Sequence, residues 1–290
     1  MARIAVVGVG AIGGAVAGLL ETTGQHEILL CTRRPLDVLT VKTPEGVVRV
    51  NALNLNDPAL ATAVDWVMIA TKTYDSEGAA QWLRGLAENG APVAVIQNGV
   101  EHCERFAAWV PQERIVPVVI DCPVERHKDG EVIQRGVARM KVEEGRLGRE
   151  FAELFKGSRA EIEITADWKS AAWRKLCVNA AGALNAITSK PAGIFANEAI
   201  ARVAMGMVEE CAAVGRAESA RLEGNVAEQV VGGYRGQPRD SVNSMLADRL
   251  AGRRMEIDAR NGVIVRLGEK HGIATPLNRM AVAVLTAVAE

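Results

Sequence analysis

The chain has no excess of either charge, since 34 Lys and Arg residues face 35 Asp and Glu, for a formal net charge of -1. That balance leaves no long-range field to gather nucleic acid or an anionic membrane surface, so a small molecule is the expected partner. Cysteine is scarce and unpatterned. Cys31, Cys103, Cys122, Cys177 and Cys211 are odd in number, widely spaced, and form neither a CxxC pair nor a cluster with the four histidines. A disulfide scaffold and a metal site are therefore not expected, and the thiols read as reduced, in a cytoplasmic protein. Internal repeats and low-complexity tracts are missing. With 49% hydrophobic and 24% charged residues, nothing in the composition demands disorder. Long apolar runs are missing as well, apart from Ile4 to Leu20, which follows Arg3 and contains Ala15-Val16-Ala17, in outline a secretion signal. Gly8, Gly10, Gly13, Gly14 and Gly18 make it a poor one, and they have a better reading below. No other stretch is long enough to span a bilayer.

At 290 residues the chain fits two domains better than one. Arg3 to Val7 is a short β-branched run followed by a glycine turn and an apolar helical pattern from Ala11 to Thr22. Strand, turn, helix opens a βαβ unit. Glu27 to Cys31, Trp66 to Ala70 and Val93 to Gln97 supply further buried strands, with a helix from Ser76 to Ala87 before the last, so a parallel sheet is expected. Further strand candidates are Val47 to Val50, Ile115 to Ile120, Glu131 to Gln134, Ala138 to Val142 and Glu161 to Thr165, and Asp129-Gly130 reads as a tight antiparallel turn. Beyond Asp167, placed to cap a helix, strand signals stop. Helices are expected over Asp167 to Ile187, Ala196 to Arg221, Val226 to Gly232, Ser244 to Leu250, Glu256 to His271 and Pro276 to Ala289.

Gly8-Val9-Gly10-Ala11-Ile12-Gly13 is a GxGxxG motif placed after a strand and at the opening of a helix. Gly8 permits the tight turn, Gly10 lets the backbone approach a pyrophosphate, and Gly13 lets helix and strand pack closely. The helix start at Ala11 and Ile12 offers free N–H groups to an anion. A dinucleotide-binding domain of Rossmann type follows. The second strand ends in Cys31-Thr32-Arg33-Arg34, with no carboxylate to hold a ribose diol and two guanidinium groups suited to a 2'-phosphate. NADP(H) is the expected cofactor. The expected fold is thus α/β, a Rossmann-type NADP-binding domain over residues 1–166 and an all-α substrate-binding and catalytic domain over 167–290.

Lys175 and Asn179 lie four apart on a helix and share a face. Ala171, Ala172, Leu176, Val178, Ala180 and Ala181 surround them, an apolar setting that would desolvate the lysine and tune it toward proton transfer. Read singly, Glu256 four before Arg260 fits a surface ion pair, Asn98-Gly99 a turn, and Ser244 a helix cap.

Over nearly its whole length, however, the chain resembles the ketopantoate reductases, or 2-dehydropantoate 2-reductases. The likeness rests on GVGAIGG (Gly8 to Gly14), TKTYD (Thr71 to Asp75), QNGV (Gln97 to Val100), WRKLCVN (Trp173 to Asn179) and SMLADRLAGRRMEIDARNG (Ser244 to Gly262), with His271-Gly272-Ile273-Ala274-Thr275-Pro276 near the C-terminus. The resemblance implies reduction of 2-dehydropantoate to pantoate, a step of pantothenate biosynthesis, by hydride transfer from NADPH. It also implies Lys175 as general acid, Glu256 as holder of the substrate hydroxyl, Asn98 as a residue near nicotinamide and lysine, Asn179 and Ser244 as substrate contacts, and Lys72 near the cofactor. Ala183 and Ala192 depart from the family, which usually has asparagine there, and Asn185 lies on another helix face than Asn179. A related reductase of another 2-oxo acid therefore remains open. So does a non-catalytic NADP-binding sensor, although such a protein needs neither Lys175 nor Glu256. A homodimer is compatible with the sequence, which does not fix the oligomeric state.

Overall fold

The computed structural model describes residues 1–127 and 130–289. The chain forms two compact units, Met1–Gln97 with Glu101–Trp168, and Asn98–Val100 with Lys169–Glu290. In unit 1 the order is β1 (Ala2–Val7), α1 (Ala11–Thr23), β2 (His26–Cys31), β3 (Leu39–Thr43), β4 (Gly46–Val50), β5 (Ala52–Leu55), β6 (Trp66–Ile69), α2 (Ser76–Leu86), β7 (Val93–Val95), α3 (His102–Phe106), β8 (Ile115–Asp121), β9 (Val124–Arg126), β10 (Val132–Gln134), β11 (Arg139–Glu143), α4 (Arg146–Leu154) and β12 (Glu161–Thr165). The main sheet runs β12-β11-β8-β7-β6-β1-β2-β5. Its six strands from β8 to β5 pair in parallel, as expected, whereas β11 is antiparallel to β8. The strand order reverses between β1 and β6, the switch point where doubly wound sheets bind ligands.

Both faces of this sheet are covered, which explains the unbroken apolar runs. Ile4, Val6, Ile28, Leu30 and Met68 pack with Val16 and Leu20 of α1 on one face. Ala5, Val7, Leu29, Val67 and Ile69 pack with Leu83 and Leu86 of α2 and Phe106 of α3 on the other. A second sheet, β4-β3-β10-β9, lies on α1. A Cβ at Gly14 would stand 2.6 Å from the Val132 side chain, and one at Gly18 3.0 Å from that of Val41. Gly14 and Gly18, two of the five glycines that spoil a secretion signal, are therefore ones that let this sheet approach. Asp129 of the expected tight turn lies outside the described residues, but the flanking strands β9 and β10 do pair antiparallel.

In unit 2 the helices are α5 (Trp168–Thr188, its first residue grouping with unit 1), α6 (Glu198–Ala217), α7 (Val226–Arg235), α8 (Ser244–Leu250), α9 (Val263–His271) and α10 (Pro276–Ala287). Their core joins Trp173, Leu176, Ala180 and Leu184 of α5 to Met207, Val208 and Cys211 of α6, with Val230, Val263 and Leu285 closing around them. Two expected helices need correction. The one expected to begin at Ala196 starts at Glu198, because the Asn197 side chain caps the amides of Ala199 and Ile200, and it ends at Ala217 rather than Arg221. Ser219, at φ 70, turns the chain out of the helix. The one expected from Glu256 instead opens with a π-helical turn, Asp258–Gly262, leaving Glu256 ahead of it. Among the described residues no helix is long and apolar enough to cross a membrane.

Candidate active site

In unit 1 the C-terminal ends of four neighbouring strands gather the candidate cofactor-binding residues. β1 runs into the glycine turn, β2 into Arg33 and Arg34, β6 into Thr71 and Lys72, and β7 into Gln97. The three motif glycines differ physically. Gly8 sits at φ +92, and a Cβ there would meet the Thr71 backbone at 2.7 Å; at Gly13 it would lie 2.0 Å from the Gly8 carbonyl oxygen. At Gly10 a Cβ would meet nothing within 4 Å. Gly8 and Gly13 thus serve the turn itself, while Gly10 faces open space. Gly10 is also the N-cap of α1, with no side-chain cap and no acidic residue in the first turn. The amides of Ala11, Ile12 and Gly13 have no intrahelical acceptor, so the helix start is polarised toward an anion.

The side chain of Arg33 is 84% exposed and reaches Asp75 at 3.3 Å. Arg34 is exposed as well. Lys72 is half-buried at the head of a short 3-10 turn, Thr73–Asp75. The buried Gln97 amide ties this turn to the end of β7, donating to Thr71 Oγ1 at 3.0 Å and Ser76 Oγ at 3.1 Å. His102 Nε2 holds the Gln97 carbonyl at 2.8 Å. That acceptor makes Nε2 the protonated nitrogen. Burial, with Arg105 adding positive charge, pulls the His102 pKa down to about 3, so the ring is neutral. Arg126 donates to the Val9 carbonyl inside the glycine turn. It was missed in the sequence, where 117 residues separate the two and no local pattern links them.

Unit 2 carries its own group of candidate residues. Asn98 Nδ2 donates to Glu256 Oε2 at 2.9 Å, although the residues are 158 apart in sequence. Glu256 is 5% exposed. Neither residue fits the bland role that a single motif suggests, surface ion pair or plain turn. Asn179 is buried on α5, one turn after the half-buried Lys175. Its side-chain Nδ2 is buried without a partner. Ser244 is exposed at the first turn of α8, where the cap is Asn243 rather than Ser244 itself. Arg260, in the π turn, is 2% exposed. It donates to the Asn179 carbonyl at 2.9 Å and to Ser244 Oγ at 3.4 Å. The four-residue spacing from Glu256 suggests only a surface partner for Arg260; the structure instead buries it within the π turn. Gly182 makes room for the cluster, since a Cβ there would crowd Tyr234 Oη at 2.5 Å, Asn243 Nδ2 at 2.9 Å and Arg260 Nη2 at 3.2 Å. Among the described residues no group of three His, Cys, Asp or Glu could hold a metal ion.

Unit 2 thus holds a buried carboxylate fixed by an amide and a lysine one helical turn from an asparagine, and unit 1 holds a glycine turn at a helix start. Residues 4–146 match the family model for ketopantoate reductase PanE/ApbA, and residues 167–289 match the model of its C-terminal part. The chain belongs to the ketopantoate reductase family. It is 46% identical over 289 residues to a 2-dehydropantoate 2-reductase of Caulobacter vibrioides, covering 100% of both chains. A 2-dehydropantoate 2-reductase of Mycobacterium tuberculosis is 37% identical, with 99% of this chain and 98% of the relative covered. The crystal structure of a PanE/ApbA family ketopantoate reductase from Ralstonia eutropha superposes with a TM-score of 0.90 at 31% identity, covering 99% and 98% of the two chains. Membership makes this ketopantoate reductase relative an oxidoreductase. Within the family frame, Ala183 and Ala192 are both buried. Asn185 does not stand in for them, because it donates to the Lys190 carbonyl and accepts from Asn243, each at 2.9 Å.

Proposed function

We propose that the chain catalyses the NADPH-dependent reduction of 2-dehydropantoate to pantoate; the relatives named above are 2-dehydropantoate 2-reductases. The observation that carries this reading is the Asn98 to Glu256 hydrogen bond, 2.9 Å long, which fixes a buried carboxylate beside a side chain of the QNGV motif. Glu256 would accept the substrate hydroxyl, and a carboxylate already oriented by an amide loses little freedom in doing so. Lys175 would hold a proton at Nζ and deliver it to the ketone oxygen as negative charge develops there. Asn179 would offer its unpartnered Nδ2, and Ser244 its hydroxyl, to substrate oxygens. The glycine turn fits a dinucleotide, since Gly10 leaves room where a Cβ would otherwise project. Gly8, Gly10, Ala11, Ile12 and Gly13 would hold the pyrophosphate and Arg33 and Arg34 the 2'-phosphate, with Asn98 near the nicotinamide and Lys72 near the cofactor. When bound, the reduced cofactor supplies the hydride. The exposed Arg33 to Asp75 pair is no obstacle, because such pairs are worth about 0–1 kcal/mol.

Ala183 and Ala192 favour one second reading, a reductase of another 2-oxo acid, because lost buried polar contacts shift substrate preference strongly. Steady-state oxidation of NADPH and NADH with 2-dehydropantoate and a panel of 2-oxo acids tests both. The expected result is 2-dehydropantoate as best substrate, and a preference for NADPH that Arg33→Ala with Arg34→Ala removes. A different best acid would establish the second reading. Binding of NADP(H) without turnover of any 2-oxo acid would leave a cofactor-binding sensor.

A further inference from the structure

Arg260 is the one strong polar group of the unit 2 cluster that the proposed chemistry leaves without a task. We infer that Arg260 is a positioning and specificity residue, which turns the Ser244 hydroxyl into a charge-backed donor for the carboxylate common to all 2-oxo acids. This rests on the reading above that a 2-oxo acid binds in unit 2, but not on which one.

The argument begins with the cost of the arrangement. A guanidinium at 2% exposure has given up its water, and a buried charge is normally repaid by a paired carboxylate. Here both hydrogen-bond partners are neutral, the Asn179 carbonyl at 2.9 Å and Ser244 Oγ at 3.4 Å, while Nε is buried with no partner. Among the described residues no ion pair of Arg260 is formed within 4.0 Å. Glu256 and Asp248 act on it only through their field, and Asp248 is already paired with Arg253 at 2.9 Å. The direct hydrogen bonds of the guanidinium therefore go to neutral members of the cluster.

Ser244 is the member that can pass the effect of this charge on. A hydroxyl has one proton and two acceptor lone pairs. Because Arg260 donates to the oxygen, that side of Ser244 is used as acceptor, and the proton is left to point elsewhere. Ser244 is exposed while Arg260 is buried behind it. The outward proton is therefore offered to an incoming acceptor, and a charged donor behind it strengthens the bond it makes to an anion. The second hydrogen bond from Arg260 fixes the backbone of Asn179, whose own Nδ2 is a buried donor in want of an acceptor. Two donors, backed by a guanidinium whose direct partners are neutral, select a carboxylate over a neutral group of the same shape.

The test compares 2-dehydropantoate with its neutral carboxamide as substrates of the full-length enzyme, holding NADPH saturating. Arg260→Gln keeps a donor toward Ser244 and removes the charge. It is expected to raise KM for the acid by about ten- to a hundredfold, the range for losing a charge-assisted hydrogen bond, while KM for the amide moves little. Arg260→Lys is expected to restore part of the acid preference, which a purely structural role would not do. Should Arg260→Gln fail to fold, Ser244→Ala carries the test, since it removes the outward proton and is expected to reduce the acid-to-amide preference with Arg260 intact. Equal loss for acid and amide, or an acid preference unmoved in these variants, would overturn the inference while leaving the enzyme reading untouched. Absence of wild-type turnover on every 2-oxo acid would instead strike at the reading on which it rests.

Discussion

A lysine one turn from an asparagine is chemically useful only if its proton can reach an oxygen that is becoming an alkoxide. Lys175 is half-buried on α5. Its helix is fixed by a deeply buried seam that includes Trp173, Leu176 and Ala180, and a rigid support is what a proton donor needs to act without reorganisation. Lys175→Ala is expected to lower turnover by about a hundredfold or more, the usual scale for a general acid. The loss should fall on kcat, since the interaction is strongest in the transition state. NADPH affinity should change little, because the proposed cofactor contacts lie mainly in unit 1. Arg174 is the control, since it reaches Glu223 at 3.4 Å and Gln229 at 2.6 Å on the helix surface. Arg174→Ala should keep near-normal kcat. Steady-state kinetics of both variants decide the matter, and near-normal turnover in Lys175→Ala would assign the proton to another group or to water.

Among the elements, what could be read from the sequence was whatever a local period encodes. The long helices announced themselves by apolar spacing, and α8 runs from Ser244 to Leu250 as the pattern predicts. The missed strands are short and half-exposed, such as β5, Ala-Leu-Asn-Leu at a sheet edge, and β9 with three residues. Too few residues repeat there to distinguish a strand from a loop. Missed helix α4 buries only Gly148, Phe151 and Leu154 within a charged segment. In the candidate site, the Lys175–Asn179 spacing was legible because it is local. The Asn98 to Glu256 and Arg260 to Asn179 contacts were not, since 158 and 81 residues intervene. The GxGxxG turn was recognisable as a motif, but its glycines could not be ranked without coordinates. The structure ranks them, and the ranking is testable. Gly10→Ala adds a methyl into open space at φ -84, so its melting temperature should match the parent. Its NADPH affinity should nevertheless fall, by about 1–3 kcal/mol if the methyl overpacks against a bound pyrophosphate. Gly13→Ala would force a Cβ to 2.0 Å from the Gly8 carbonyl and should lower the melting temperature as well. Unchanged NADPH binding by Gly10→Ala would mean that the dinucleotide does not pass over that residue.

At the scale of the whole molecule, the chain passes from unit 1 to the short Asn98–Val100 excursion immediately after Gln97. The residue that fixes this exit is His102, which holds the Gln97 carbonyl at 2.8 Å and meets Trp168 edge-on at 5.0 Å. Its neutrality has a consequence for stability against pH. The imidazole pKa is depressed from 6.5 to about 3, first by burial and then by Arg105. Between those values the unfolded chain binds a proton that the folded chain does not, so protonation favours unfolding. The contribution of a neutral His102 is complete above pH 6.5 and is lost as pH falls toward 3. The slope approaches about 1.4 kcal/mol per pH unit for one fully shifted group. Carboxylates titrate over part of the same range, so the wild-type curve alone cannot isolate the histidine. His102→Gln retains a donor for the Gln97 carbonyl and has no proton to gain. Its stability at neutral pH should be lower, because packing around a fully buried ring is disturbed. Its deficit relative to wild type should then shrink steadily as pH is lowered from 6.5 to 4.5, because only wild type continues to lose the histidine contribution. Chemical denaturation of both proteins at a series of pH values measures this difference directly. Parallel pH profiles would show that His102 is already charged in the folded protein, and that the exit from unit 1 is held by something other than a neutral ring.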